Sequence, residues 1–216
     1  MNEFGVDFHK NPDGTFNRTL EGGHCRHRIF HHKDATGFEL VTKLLSKVKT
    51  MPNVEIKEES MLCNVKKTDT GFSLLILKDD DYMNYNTHFL ILATGGIGRV
   101  YEYTTNSAIA TGDGIVFAHE LGADIKNLSL IQFHPTAFNN RQTRECFLIS
   151  EAVRGEGAYL LNCKGERFMS HYDDRLELAP RDVVSHAIIL ESKETNSTEF
   201  YLDISHKDTE FLKKRF

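Results

Sequence analysis

From Asp34 onward, the segment DATGFELVTKLLSKVKT sets Phe38, Val41, Leu44, Leu45 and Val48 at the three- and four-residue spacing of one helical face, and Pro52 closes it. The period then shortens. NVEIKE, MLCNVKK, GFSLLILK and NTHFLILATGG are short branched or alternating runs, each expected to be a strand, with Thr70-Gly71 and Asp79-Asp80-Asp81 as the turns between them. A helix followed by such strands predicts an α/β sheet with a small antiparallel excursion. The last run ends in Ala93-Thr94-Gly95-Gly96, small residues that let a backbone or a flat ligand approach the carboxyl end of a strand.

Further on, TGDGIVFAHELGAD predicts a helix from about Gly114 that Gly122 terminates. CFLISEAVRGEGAYLLN reads as a strand and a helix, LNCKGERFM as a hairpin, PRDVVSHAIILESK as a helix opened by Pro180, and FYLDIS as a strand. DTEFLKKRF begins another helix. Upstream, HKNPDGTFNRTLEGGH is turn-rich, with Pro12-Asp13-Gly14 as a hairpin turn. NLSLIQFHPTAF looks like a buried strand that runs into an imidazole, a rigid ring and a hydroxyl at His134, Pro135 and Thr136.

Composition changes this picture little. The 216 residues are 40% hydrophobic and 26% charged, ordinary for a globular protein. A net charge of -5 gives no reason to expect nucleic acid or an anionic membrane as partner. No apolar run approaches a membrane span, and MNEFGVDFHK lacks the features of a signal peptide. Cys25, Cys63, Cys146 and Cys163 are far apart with no Cys-x-x-Cys pair, which fits free thiols in a reducing cytoplasm.

Arg181 is the oddest placement, a cation at the first turn of a helix, where the macrodipole is positive. Either it is a surface arginine paired with Glu177 or Asp182, or an anion such as a substrate carboxylate occupies the site. Glu151 and Arg154 are three apart and can pair on one helical face, as an ordinary ion pair or as a polar relay beneath a site. In GGHCRHRIFHH, His24, His27 and His31 have helical metal-ligand spacing. Arg26 and Arg28 would repel a cation and no acidic third ligand is in register, so Gly22 and Gly23 read better as a loop near an anionic ligand. No Gly-x-Gly-x-x-Gly precedes a helix, so no complete dinucleotide fold can be read from the chain by itself.

Taken in order from about Glu21, LEGGHCRHRIFHHKDATG, LATGGIGRVYEYTTN, TGDGIVFAHELGAD, QFHPTAF, SEAVRGEGAYLLN, GERFM, ELAPRD and YLDISH resemble the flavoprotein family of succinate dehydrogenase and fumarate reductase. Within it, EGGH, GAYL and ELAPRD resemble the L-aspartate oxidase branch. The resemblance implies an α/β fold with an α+β cap. A partial Rossmann-like FAD-binding domain would span residues 1–146, with a β-meander at about 54–92, and a partial capping domain residues 147–216. It implies non-covalent FAD and oxidation of L-aspartate to iminoaspartate for NAD biosynthesis, with O2 or fumarate as the acceptor.

On the same resemblance, His134 and Thr136 hold a substrate carboxylate with Gln132 nearby, and Arg181 is the acid/base that moves a proton while hydride passes to flavin N5. Glu151 and Arg154 match the relay behind it. Glu21 contacts the substrate amino group beside His24. Gly112 and Asp113 of GDG, Thr94-Gly95-Gly96 and the backbone of Met61 and Leu62 match FAD contacts. A guanidinium is normally far too weak an acid for proton transfer, so Arg181 needs neighbouring charges to do it.

The family's opening strand, glycine-rich phosphate loop and helix are not found here, nor is a later segment that brings another His and Arg to the site. Cys25 also replaces the usual small hydroxyl residue. The chain is therefore expected to be an internal piece, inactive by itself and binding FAD weakly or not at all. A fumarate reductase or succinate dehydrogenase flavoprotein and a non-catalytic cap-like remnant stay open as alternatives. A metal-binding domain on the histidines comes last.

Overall fold

The computed structural model describes residues 2–20, 24–138 and 142–216. In chain order the strands are β1 (Arg18–Thr19), β2 (Ile29–Phe30), β3 (Met61–Thr68), β4 (Gly71–Lys78), β5 (Asp81–Thr87), β6 (Ala137–Phe138), β7 (Phe147–Leu148), β8 (Tyr159–Leu161) and β9 (Tyr201–Asp203). The α-helices are α1 (Thr36–Val48), α2 (Asp113–Glu120), α3 (Glu151–Gly155), α4 (Arg181–Thr195) and α5 (Thr209–Arg215). Contacts group the chain into two units: Met1–Pro52 with Gln132–Phe138 and Phe147–Phe216, and Asn53–Ile131 with Asn139–Cys146. No described helix is long and apolar enough to cross a membrane.

The first unit holds the main core. Leu160 of β8, Phe168, Met169, Ala179, and Val184 and Ala187 of α4 are buried together, with Phe200 and Leu202 packed against them. The pattern explains the helix: Val184, Ala187 and Glu191 lie at three- and four-residue spacing and form its buried stripe. Asn196 ends α4 in the left-handed region, at φ 49 and ψ 40, where asparagine is tolerated. β8 and β9 pair antiparallel across this core, so the partner strand of β8 comes from FYLDIS and not from within LNCKGERFM. Asp208 caps α5 by accepting from the Phe211 N–H at 2.9 Å. The Pro12-Asp13-Gly14 turn also forms, closed by Asn11 N–H to Thr15 O at 2.8 Å.

α1 follows its predicted bounds, but its apolar face is not a core. Phe38 is 76% and Val41 64% exposed, and no residue of the helix is buried. Periodicity sets which residues share a face. What covers that face depends on the rest of the fold.

In the second unit, β3, β4 and β5 form an antiparallel meander. The β4–β5 turn is the pair Asp79 and Asp80 at φ 50 and 66, the left-handed geometry a two-residue hairpin turn demands and aspartate tolerates. α2 closes with Ala123 N–H on Ala118 O and Gly122 N–H on His119 O, both at 2.9 Å, with Gly122 at φ 91, so the glycine stop signal holds.

Three expected strands differ. NVEIKE forms none. In NTHFLILATGG only Asn86 and Thr87 join a strand, the end of β5, and Phe89 and Ile91 are 87% and 90% exposed. NLSLIQF is a turn and coil, with Leu130 N–H on Asn127 O at 2.9 Å, and β6 starts only at Ala137. A strand needs a neighbouring strand to pair with, and among the described residues these segments, apart from Asn86 and Thr87, pair with none. The polar run DYMNYNT, by contrast, becomes β5 because β4 lies beside it in register.

Phe168 is 1% exposed and meets Tyr172 and Phe200 edge-on, with ring centroids at 6.1 and 5.7 Å. Phe168→Ala is expected to cost about 3–5 kcal/mol of stability, read as a shifted urea midpoint in a circular-dichroism titration.

Candidate active site

α4 begins at Arg181 because Pro180, at φ −53 and without an N–H, starts a helix well. The Arg181 guanidinium donates through Nε to Glu151 Oε2 at 2.7 Å, with Nη2 at 2.5 Å from the same oxygen, and through Nη1 to Gln132 Oε1 at 2.8 Å. Neither Glu177 nor Asp182, the partners expected for a surface arginine, is its partner here. At 36% exposure, the guanidinium remains reachable.

Glu151 is the first residue of α3, where Ser150 caps by accepting the Ala152 N–H at 3.2 Å. One carboxylate oxygen takes Arg181 and the other takes Arg154 Nη2 at 3.0 Å. Arg154 is fully buried, and its Nη1 donates to the Glu177 backbone O at 2.7 Å, while Nε has no hydrogen-bond partner. Burial lowers the Arg154 pKa, with Arg181 adding to the effect, and Glu151 opposes it. The cluster sets two cations against one carboxylate, so it attracts an anion.

His134 lies on the same strand-entry segment as Gln132. Its Nδ1 sits 3.0 Å from Thr136 O and 3.2 Å from Thr136 N. When Nδ1 accepts the Thr136 N–H, Nε2 carries the proton and can donate to a ligand. Burial lowers the His134 pKa, and Arg181 lowers it further. Thr136 is buried, and its hydroxyl donates to Ile149 O at 3.0 Å. To donate to a carboxylate it must leave that carbonyl.

A second layer was not legible from the sequence. Glu177, 3% exposed, accepts Leu160 N–H at 3.1 Å and takes Arg167 through Nε at 2.9 Å and Nη2 at 2.6 Å. Burial pushes its carboxyl up, but Arg167 and the Leu160 N–H outweigh that and hold it below the usual glutamate range. The pair fixes the turn whose carbonyl meets Arg154. The signal was the position of these residues inside GERFM and ELAPRD.

The histidine run does not assemble as helical spacing suggested, because residues 24–31 form bends and β2 rather than a helix. His24 accepts from Arg28 Nε at 3.2 Å, and His31 faces Asn17 Oδ1 at 2.9 Å. Among the described residues no group of three His, Cys, Asp or Glu could hold a metal. Glu21, Gly22 and Gly23 lie outside the described residues.

In the second unit, Thr94 packs on the start of α2 so closely that a Cβ at Gly114 would lie 1.9 Å from Thr94 Oγ1. Gly112 caps the helix in the left-handed region at φ 86, and the exposed Asp113 opens it, with Thr111 Oγ1 donating to its carboxylate at 2.8 Å. A cavity of about 460 Å³ runs along Thr94, Gly95, Gly114 and Ile115. A glycine-lined concavity beside a helix start suits part of a flat cofactor with phosphate groups, so these residues fit FAD. Gly96 adjoins it, whereas the backbone of Met61 and Leu62 pairs with β4 at Leu77 and Ile76.

Residues 1–216 match the family model described as FAD binding domain. The L-aspartate oxidase of Clostridium acetobutylicum is 42% identical over 215 residues, 99% of this chain and 48% of its own. That of Yersinia pestis is 40% identical over 226 residues, 99% of this chain and 42% of its own. A chain of E. coli quinol fumarate reductase superposes with a TM-score of 0.90 at 28% identity, covering 99% of this chain and 40% of that one. The α/β flavoprotein fold is thus shared, and the chain spans less than half the length of the relatives it matches.

Burial and Arg181 hold the His134 pKa below the ordinary histidine value of 6.5, so its contribution to stability is full above pH 6.5 and is lost as pH falls below it. An NMR titration is expected to find the His134 ring titrating below 6.5, with acid destabilisation reduced in His134→Gln; a midpoint at or above 6.5 would contradict this.

Proposed function

The chain belongs to the FAD-binding domain family, with FAD as its cofactor, and from that premise we propose that the protein oxidises L-aspartate to iminoaspartate. The observation that carries this reading is the unbroken hydrogen-bonded line Gln132–Arg181–Glu151–Arg154, with His134 on the same segment as Gln132. A dicarboxylate needs several converging donors, and His134 Nε2 and the Arg181 guanidinium supply them. Thr136 sets the orientation of the imidazole.

FAD, when bound, supplies the two-electron acceptor, and Thr94, Gly95, Gly96, Gly112 and Asp113 would hold part of it. The substrate ammonium gives up one proton as Cα loses its hydride. Arg181 can pass that proton on: one taken up at a terminal guanidinium nitrogen is balanced by one leaving Nε for Glu151 Oε2, 2.7 Å away. Arg154 holds Glu151 in place through the hydrogen bond from its Nη2.

In this reading residues 1–146 belong to the FAD-binding domain and 147–216 to the capping domain. O2 or fumarate reoxidises the flavin, the reaction feeds NAD biosynthesis, and the protein is cytoplasmic. Higher identity to the aspartate oxidases than to fumarate reductase, 42% against 28%, favours L-aspartate over succinate. The fold likeness to fumarate reductase keeps succinate as the rival reductant, and comparing the two as flavin reductants in the full protein separates them.

Arg181→Lys in the full protein is expected to lower turnover by about 100-fold or more while flavin content holds. Steady-state kinetics beside flavin absorbance check this, and unchanged turnover removes Arg181 from the acid/base role.

A further inference from the structure

We propose that Ser185 is a positioning residue that clamps the Gln132–His134 segment to α4 and so sets the separation between the His134 imidazole and the Arg181 guanidinium. The proposal rests on the reading of those two groups as the dicarboxylate site.

Ser185 lies one helical turn after Arg181, on the same side of α4. The two residues grip consecutive positions of one segment: Arg181 Nη1 donates to Gln132 Oε1 at 2.8 Å, and Ser185 Oγ donates to the Phe133 backbone O at 2.9 Å. A helical serine ordinarily turns its hydroxyl to solvent or back to the preceding turn. Here it reaches across to another element.

His134 therefore sits between two anchors. Downstream, Thr136 Oγ1 donates to Ile149 O at 3.0 Å, Ile149 N–H donates to Thr136 O at 3.2 Å, and β6 pairs with β7. Upstream, the Arg181 and Ser185 hydrogen bonds help hold the segment. The Arg181 bond is released whenever its guanidinium turns toward a bound carboxylate. The Ser185 bond is neutral, goes to a backbone carbonyl, and is independent of ligand and protonation. It keeps the imidazole in place while Arg181 exchanges partners.

The test uses the full protein loaded with FAD, comparing wild type, Ser185→Ala and Ser185→Thr, the last retaining the hydroxyl. Succinate binding is measured by calorimetry and L-aspartate turnover by steady-state kinetics. Loss of one such hydrogen bond should raise the succinate Kd and the L-aspartate KM together by roughly 3- to 10-fold, with a smaller change in kcat. Flavin content and Tm should stay near wild type, and Ser185→Thr should recover most of the affinity. Unchanged Kd and KM in Ser185→Ala would overturn the proposal. So would losses that track Tm and flavin content and are not rescued by threonine, because that is a purely structural role. A wild-type protein that binds no succinate would instead overturn the dicarboxylate reading beneath it.

Discussion

The Glu151 carboxylate, shared between Arg154 and Arg181, is the interaction on which the first unit's geometry turns. Two guanidinium groups at this distance from each other are tolerable only with an anion between them. Removing one partner of a buried pair costs about 3–5 kcal/mol, because the remaining charge is left uncompensated. That constraint fixes α3 against the start of α4. It also leaves the cluster with an excess positive charge, which is why the open side of Arg181 is suited to an anion.

The cluster is held from behind. Arg154 is anchored on the Glu177 carbonyl, and Glu177 is in turn locked by Arg167 and the Leu160 N–H. Leu160 belongs to the same core as Val184 and Ala187 of α4. Apolar packing and charge pairing therefore fix one arrangement between them: the core sets where α4 lies, and the Glu177 turn sets where its first residue points. Rigid support of this kind is what a proton-transfer group needs, since its donor and acceptor must meet at hydrogen-bond distance.

The second unit is built differently. In its meander β4 is paired on both sides by β3 and β5, whereas the apolar run after β5 joins no strand and is exposed at Phe89 and Ile91. α1 in the first unit shares this character. These surfaces carry the hydrophobicity of buried elements without burial among the described residues.

The sequence by itself determined the local elements whose causes are local. The helix after Pro180, the Gly122 stop, the Asp79-Asp80 turn, the Pro12-Asp13-Gly14 turn and the FYLDIS strand follow from spacing, capping and backbone preference. It also singled out Arg181, Glu151 and Arg154, because a cation at a helix start and a carboxylate three residues from an arginine are visible without a fold; His134 was singled out by the family resemblance. Only the tertiary structure decided the partners. Glu151 lies 30 residues from Arg181 and Gln132 lies 49 from it, separations across which no periodicity carries information. The same holds for strands. DYMNYNT pairs and HFLILAT does not, because a ladder depends on a neighbouring backbone, and hydrophobicity along one chain segment does not say whether that neighbour is there.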